Sequence, residues 1–242
     1  TVRYCRVLLR LQLQFPFQIL ARTSVASCCS GNRDYGCDRV QCGLDFSTSH
    51  TGNNMTLIRP FTGLRPVDAR AAEVVAPPYD VLSSEEARVG AAGRPWSFLH
   101  ISKPEIDLPE GTDPYSAEVY ARAAENLQRM LAEGILKRDP EPCYYIYRLV
   151  MGEHSQTGLV AVASVADYDS NRIRRHEFTR PDKEDDRVRQ IEALNAQTGP
   201  VLLAYRSQAH VDAMLKDMSR TDPDVDLVAD DGIAHSLLVV RE

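Results

Sequence analysis

Neither lysine nor glutamate occurs in the first 54 of the chain's 242 residues, and cysteine all but vanishes after them. Cys5, Cys28, Cys29, Cys37 and Cys42 fall in that first segment and Cys143 alone follows it. One cysteine cannot build a disulfide framework, which suits a reducing, cytoplasmic setting. The clustered cysteines match no strong zinc spacing, and no histidine lies near enough to complete one. Long apolar runs are missing too. The best stretch, Val7 to Phe17, is broken by Arg10, Gln12, Gln14 and Pro16, so no membrane partner is expected. The formal net charge is −6, against the positive excess that non-specific nucleic-acid binding requires. There is no P-loop glycine pattern, no G-x-G-x-x-G, no H-E-x-x-H, no paired C-x-x-C and no internal repeat. These absences exclude the best-marked nucleotide, dinucleotide and zinc sites.

What is present divides in two. Residues 1–54 hold six arginines and three aspartates, whereas residues 55–242 hold 22 basic and 31 acidic groups. Well-patterned sequence begins at Met55. Residues 1–54 therefore read as upstream sequence translated by mistake and without a packed core, with a targeting segment as the alternative. Residues 55–242 read as the N-terminal part of one mixed α/β catalytic domain.

Within that domain, Leu57 to Phe61 reads as a short strand. Glu73 to Ala76 reads as another, followed by a Pro77-Pro78 turn and a helix start at Ser83 to Glu86. The two prolines fix the backbone ahead of Tyr79 and Asp80, holding an aromatic face and a carboxylate for a ligand; a purely structural turn is the other reading. Ser97 to Ile101 reads as a strand whose lone His100 is a satisfied rim or core residue. Tyr115, Val119, Ala123, Leu127, Met130 and Leu131 recur at helical spacing and mark core scaffolding over Asp113 to Leu136. Cys143 to Met151 and Gly158 to Tyr168 read as a hairpin across residues 152–157, with Tyr145, Tyr147 and Leu149 on one face and Tyr144, Ile146 and Arg148 on the other. Residues 167–171 read as a turn, Pro200 to Tyr205 as a buried strand, Ala209 to Met218 as a helix, and Val225 to Ala229 and Gly232 to Val240 as strands. Ending on that last strand, the chain is expected to lack its continuation.

The most heavily charged stretch runs from Arg174 to Arg187. Thr179-x-x-Asp182 with Pro181 reads as a capping box, placing these charges where a strand gives way to a helix N-terminus, a place that attracts anions. If residues 172–177 are extended, Arg175 and Glu177 share one face, and Arg174 and His176 the other. A phosphate clamp and a proton-transfer group could share that corner; alternatively the stretch is a solvated charged face in which Glu177 pairs with Arg175. Asp182 and Asp186 form a like-charge i, i+4 pair that needs Arg189, Lys183 or a metal beside it. Val188, Ile191 and Leu194 or Asn195 supply the helix's buried stripe.

Several of these pieces together resemble the N-terminal half of a widespread bacterial family of unknown function, related in its signature to the ParB/sulfiredoxin-like free serine kinases. They are Pro60-Phe61 with Gly63-Leu64-Arg65-Pro66, Ala76 to Val81, Tyr145-Ile146-Tyr147, Gln156 to Leu159, and His176-Glu177-Phe178-Thr179 with Lys183 to Arg187. The resemblance covers Met55 to Glu242. It implies a ParB/sulfiredoxin-like kinase-type α/β fold and transfer of phosphate from ATP (or ADP), with Mg²⁺, to a small hydroxyl compound, free L-serine by analogy. Glu177 would be the base, with His176 beside it. Arg175, Lys183 and Arg187 would clamp phosphate, Tyr79 and Asp80 would face the small-molecule substrate, and no residue is assigned to a resident metal. The family's Asp-Gly-His-His-Arg phosphate loop is absent, so the chain itself is expected to be inactive. A non-catalytic binding module and a nucleotide or phosphoester hydrolase are the alternatives.

Overall fold

The computed structural model describes residues 57–174 and 180–241. The boundary expected at Met55 lies outside them. The described chain runs β1 (Ile58–Arg59), β2 (Leu64–Pro66), α1 (Ala71–Val74), α2 (Ser84–Ala91), α3 (Leu99–Ser102), α4 (Ala117–Ala132), β3 (Leu136–Arg138), β4 (Tyr144–Met151), β5 (His154–Val160), β6 (Val162–Ala163), α5 (Val165–Asp169), α6 (Pro181–Leu194), α7 (Ala209–Met218), β7 (Val225–Val228) and β8 (Ala234–Val240). The class is mixed α/β. No helix among the described residues is long and apolar enough to cross a membrane.

Four strands form one antiparallel sheet in the order β5-β4-β8-β7. Alternation along β4 sends Tyr145, Tyr147 and Leu149 inward, where they meet Leu237 and Val239 of β8, Val225 of β7 and Ala71 of α1. Cys143 joins the same core, and burial, with Asp139 nearby, pushes its thiol pKa up, away from reactivity. His235 is buried on this face with its Nδ1 2.7 Å from the Tyr147 hydroxyl, and burial lowers its pKa.

The second core is helical. Val74, Phe98, Leu99 and Ile101 pack with Ala123, Leu127 and Met130 of α4. Each large apolar side chain so buried contributes about 1.5–3 kcal/mol. α4 stops through a Schellman motif: Gly134 takes φ +65°, its N–H reaches the Leu131 carbonyl, and the Ile135 N–H reaches that of Met130.

Residues 58–66 stitch the parts together. β1 pairs with β6, Phe61 bridges to Cys143, and β2 pairs with β3. At this seam Arg65 and Asp139, both almost fully buried, share an ion pair with N–O distances of 3.2 and 3.1 Å. Tyr145 donates its hydroxyl hydrogen to Asp139 at 2.7 Å, and the same oxygen accepts the Gly63 N–H at 2.8 Å. Arg65 also binds Asp68. The motif residues Gly63, Arg65 and Tyr145 thus meet in one closed polar network.

Several expectations change. Ser97 to Ile101 is not a strand: α3 begins at Leu99, and Phe98, Leu99 and Ile101 are all buried, a run too short for its period to separate helix from strand. Glu73 lies in helix α1, and residues 165–169 form α5, capped by the Ser164 hydroxyl accepting from the Asp167 N–H. The hairpin turn is only Gly152-Glu153, with Gly152 at φ +59°, because the polar residues His154 to Thr157 pair in β5. Pro200 to Tyr205 is no buried strand: the stretch has no regular structure, and Val201, Leu202, Leu203 and Tyr205 are exposed.

Candidate functional site

Helix α6 opens with Pro181 in its first turn and Arg180 as N-cap, without a side-chain cap bond. The cap is thus one residue later than the Thr179 capping box expected, and Thr179 itself lies outside the described residues. Arg180 instead binds the Asp182 carboxylate at 3.2 and 2.7 Å. Asp182 and Glu184 already answer the helix dipole in the first turn, so charge for an anion must come from side chains rather than from the N-terminal amides.

The stripe that α6 buries is Asp186, Gln190 and Leu194, whereas Val188 is exposed. Polar contacts explain the choice. Tyr120 of α4 donates to Asp186 Oδ1 at 2.8 Å, and Arg187 Nε and Nη2 donate to Oδ2 at 3.0 and 2.6 Å. Gln190 Nε2 donates to the Ile101 carbonyl at 2.9 Å. Burial, and then the bond to Asp186, push the Tyr120 hydroxyl pKa well up, which keeps it a donor. The like-charge conflict between Asp182 and Asp186 is resolved by Arg180 on one and by Tyr120 with Arg187 on the other. Arg189 pairs with Asp185 instead, and Lys183 turns to Tyr115.

Three of the expected site residues come together around α6. The Lys183 ammonium donates to the Tyr115 hydroxyl at 2.8 Å, a bond that raises the lysine pKa. One turn on, the Arg187 guanidinium carbon lies 4.2 Å from the centre of the Tyr79 ring. Tyr79 reaches it because Pro78, extended at φ −56° and ψ 134°, precedes a single 3₁₀ turn over Tyr79 to Val81. Asp80, next in that turn, is exposed. Arg175, His176 and Glu177 lie outside the described residues, in the segment leading into Arg180.

Sequence reasoning missed Tyr120 and Gln190 in this corner, placed Tyr115 in the helix core although it is exposed, and read Asp186 as half of a like-charge pair rather than as a buried acceptor. Tyr120 sits beside Val119 on a helix whose stripe looks purely apolar, so only its hydroxyl could have signalled a partner. Asp186 and Gln190 are polar residues at core spacing in an otherwise charged helix, a pattern that periodicity counts as solvent-facing.

Lysine and arginine at i, i+4, each resting on a tyrosine, form a pair of donors suited to a phosphate or polyphosphate. The carboxylates of Asp182 and Asp186 are engaged by protein groups. No group of three or more His, Cys, Asp or Glu residues among the described residues could hold a metal ion. Residues 58–242 match the family model described as "Protein of unknown function (DUF1015)". No curated protein and no solved structure matches the chain.

Proposed function

We propose that this chain, which belongs to the DUF1015 family, serves the transfer of a phosphoryl group from a nucleotide to the hydroxyl of a small molecule. The observation that carries the reading is the placing of Lys183 and Arg187 one turn apart on α6, steadied by Tyr115 and Tyr79. Phosphoryl transfer is driven by positioning and by positive charge over the phosphate oxygens, and this pair supplies both. Asp186 orients Arg187 from beneath, so the guanidinium meets a ligand already aligned. The kinship with ParB/sulfiredoxin-like serine kinases belongs to this proposal, with free L-serine as the acceptor and Glu177, beside His176, as the base that takes the hydroxyl proton. Arg175 would add a third cation and Asp80 a contact to the acceptor. ATP, when bound with Mg²⁺, supplies the transferable phosphoryl group and the metal's charge. Because Asp182 and Asp186 are already engaged, the phosphates would carry that metal.

The test is transfer of label from γ-labelled ATP by the product of the whole reading frame, with Mg²⁺ and a panel of small hydroxyl compounds that includes L-serine. Labelled phosphoserine is expected. Lys183→Ala and Arg187→Ala should each slow its formation about 10²- to 10³-fold, the usual effect of removing one aligned donor. Phosphate release without an acceptor would make the protein a hydrolase, and no turnover would make it a binding module; either result overturns the proposal.

A further inference from the structure

Both ring nitrogens of His100 face oxygens that only accept. Nδ1 lies 2.8 Å from Asp107 Oδ1, and Nε2 lies 3.1 Å from the Arg94 carbonyl oxygen. A neutral imidazole has one N–H and one lone pair and can donate to just one of these partners, whereas the imidazolium donates to both. Water is a poor substitute here, because only 13% of the His100 side chain is exposed. Asn126 of α4 holds the arrangement in place, donating to the His100 carbonyl at 2.7 Å and to Asp107 Oδ2 at 2.8 Å.

The other charges around this ring are already engaged. Lys103 pairs with Glu105 at 3.1 Å, both on the segment that joins α3 to the short 3₁₀ turn Pro104–Asp107. Arg129 of α4 acts on Asp107, donates to the Pro95 carbonyl at 3.1 Å and lies 5.2 Å from the centre of the Trp96 ring. The Arg94 guanidinium points away, to Asp230 and to the carbonyls of Ala72 and Val75. Burial draws the Asp107 pKa up, but the bond and charge of His100, with the Asn126 amide and then the charge of Arg129, outweigh it and hold the carboxyl below its usual range. Asp107 therefore stays ionised while histidines titrate.

We propose that His100 is a proton-operated clasp on the turn Arg94 to Trp96, closed when the ring carries two protons and released when it carries one. On losing the Nε2 proton, the ring keeps its charge-assisted bond to Asp107 and turns a lone pair toward the Arg94 carbonyl. That carbonyl still accepts the Ser97 N–H at 3.0 Å, so the turn loosens without unravelling. The stability added by the second bond is present at low pH and is lost as pH rises through the histidine range. Its reach extends past the turn, because Arg94 ties the helical core to α1 and to Asp230, between β7 and β8.

Trp96 is the chain's single tryptophan and packs against the helical core, so its emission reports on the turn directly. Followed from about pH 5 to about pH 8, the emission wavelength of the whole chain should move to the red in a one-proton transition as pH rises. His100→Gln, which cannot titrate, should abolish that transition, whereas His154→Gln and His210→Gln, at exposed positions, should keep it. If His100→Gln does not fold, nitrogen-15 spectra of the histidine rings in the unsubstituted protein decide. Both His100 nitrogens should carry protons at the acid end, and Nε2 should lose its proton in step with the Trp96 shift. An emission wavelength that does not titrate, a transition that survives in folded His100→Gln, or loss of the proton from Nδ1 instead of Nε2 overturns the inference.

Discussion

Asp139 illustrates how much one side chain can hold. Almost fully buried, it receives both the Arg65 guanidinium and the Tyr145 hydroxyl, and its own N–H reaches the Gly63 carbonyl at 2.9 Å. Asp139→Asn would leave the buried Arg65 guanidinium with only the half-exposed Asp68 as counter-charge, and breaking a buried pair from one side typically costs about 3–5 kcal/mol. Urea denaturation should show a loss of that order, with the denaturant slope unchanged. A loss below about 1 kcal/mol would show that Asp68 alone satisfies Arg65. By contrast, among the described residues Lys183 hydrogen-bonds to an exposed tyrosine hydroxyl, so Lys183→Ala should be nearly neutral to stability, separating a functional defect from an unfolded one.

At the scale of elements, α4 and α6 meet through a seam more polar than most helix pairs use. Tyr120→Phe removes the donor to Asp186 but keeps the ring, and should cost about 1–2 kcal/mol in thermal or urea unfolding, since an acceptor is left buried. It should also lower the affinity for ATP, because Arg187 is aimed through Asp186. A variant of unchanged stability and unchanged nucleotide affinity would remove the seam from the proposed site. That seam could not be read from the sequence, where a charged helix predicts a solvated face. What could be read rests on clear periods and fixed dihedrals: the face assignment of β4, the long helix ending near Gly134, the helix start at Ser83, where the capping box with Glu86 is present, and Pro181 at the opening of α6. The failures come from short apolar runs. Phe98, Leu99 and Ile101 are all buried where a strand would alternate, and Val201 to Tyr205 has the composition of a strand yet pairs with nothing in regular structure. Of the candidate site, Lys183, Arg187 and Tyr79 were legible as a charged helix start and a rigid proline turn. Their tyrosine and aspartate supports, which depend on long-range packing, were not.

Across the whole molecule, the two cores are unequally guarded. The stretch after Gly199 runs exposed, without regular structure, into α7. Chymotrypsin under native conditions should therefore cut first, among the described residues, at Leu202, Leu203 or Tyr205, leaving the hairpin β4–β5 and helix α4 intact. First cleavage at Tyr145 or Tyr147 would contradict the described burial.

The strand order carries a consequence for how the protein is made. β8 lies beside β4 in space, yet the ribosome delivers it only after α5, α6, α7 and β7. Until it emerges, the nascent β4–β5 hairpin presents one open edge and a face of bare tyrosines to solvent. Antiparallel pairing across so long an interval is slow to close, so newly made chains should depend on holding factors that shield that edge until Ala234 to Val240 slide in.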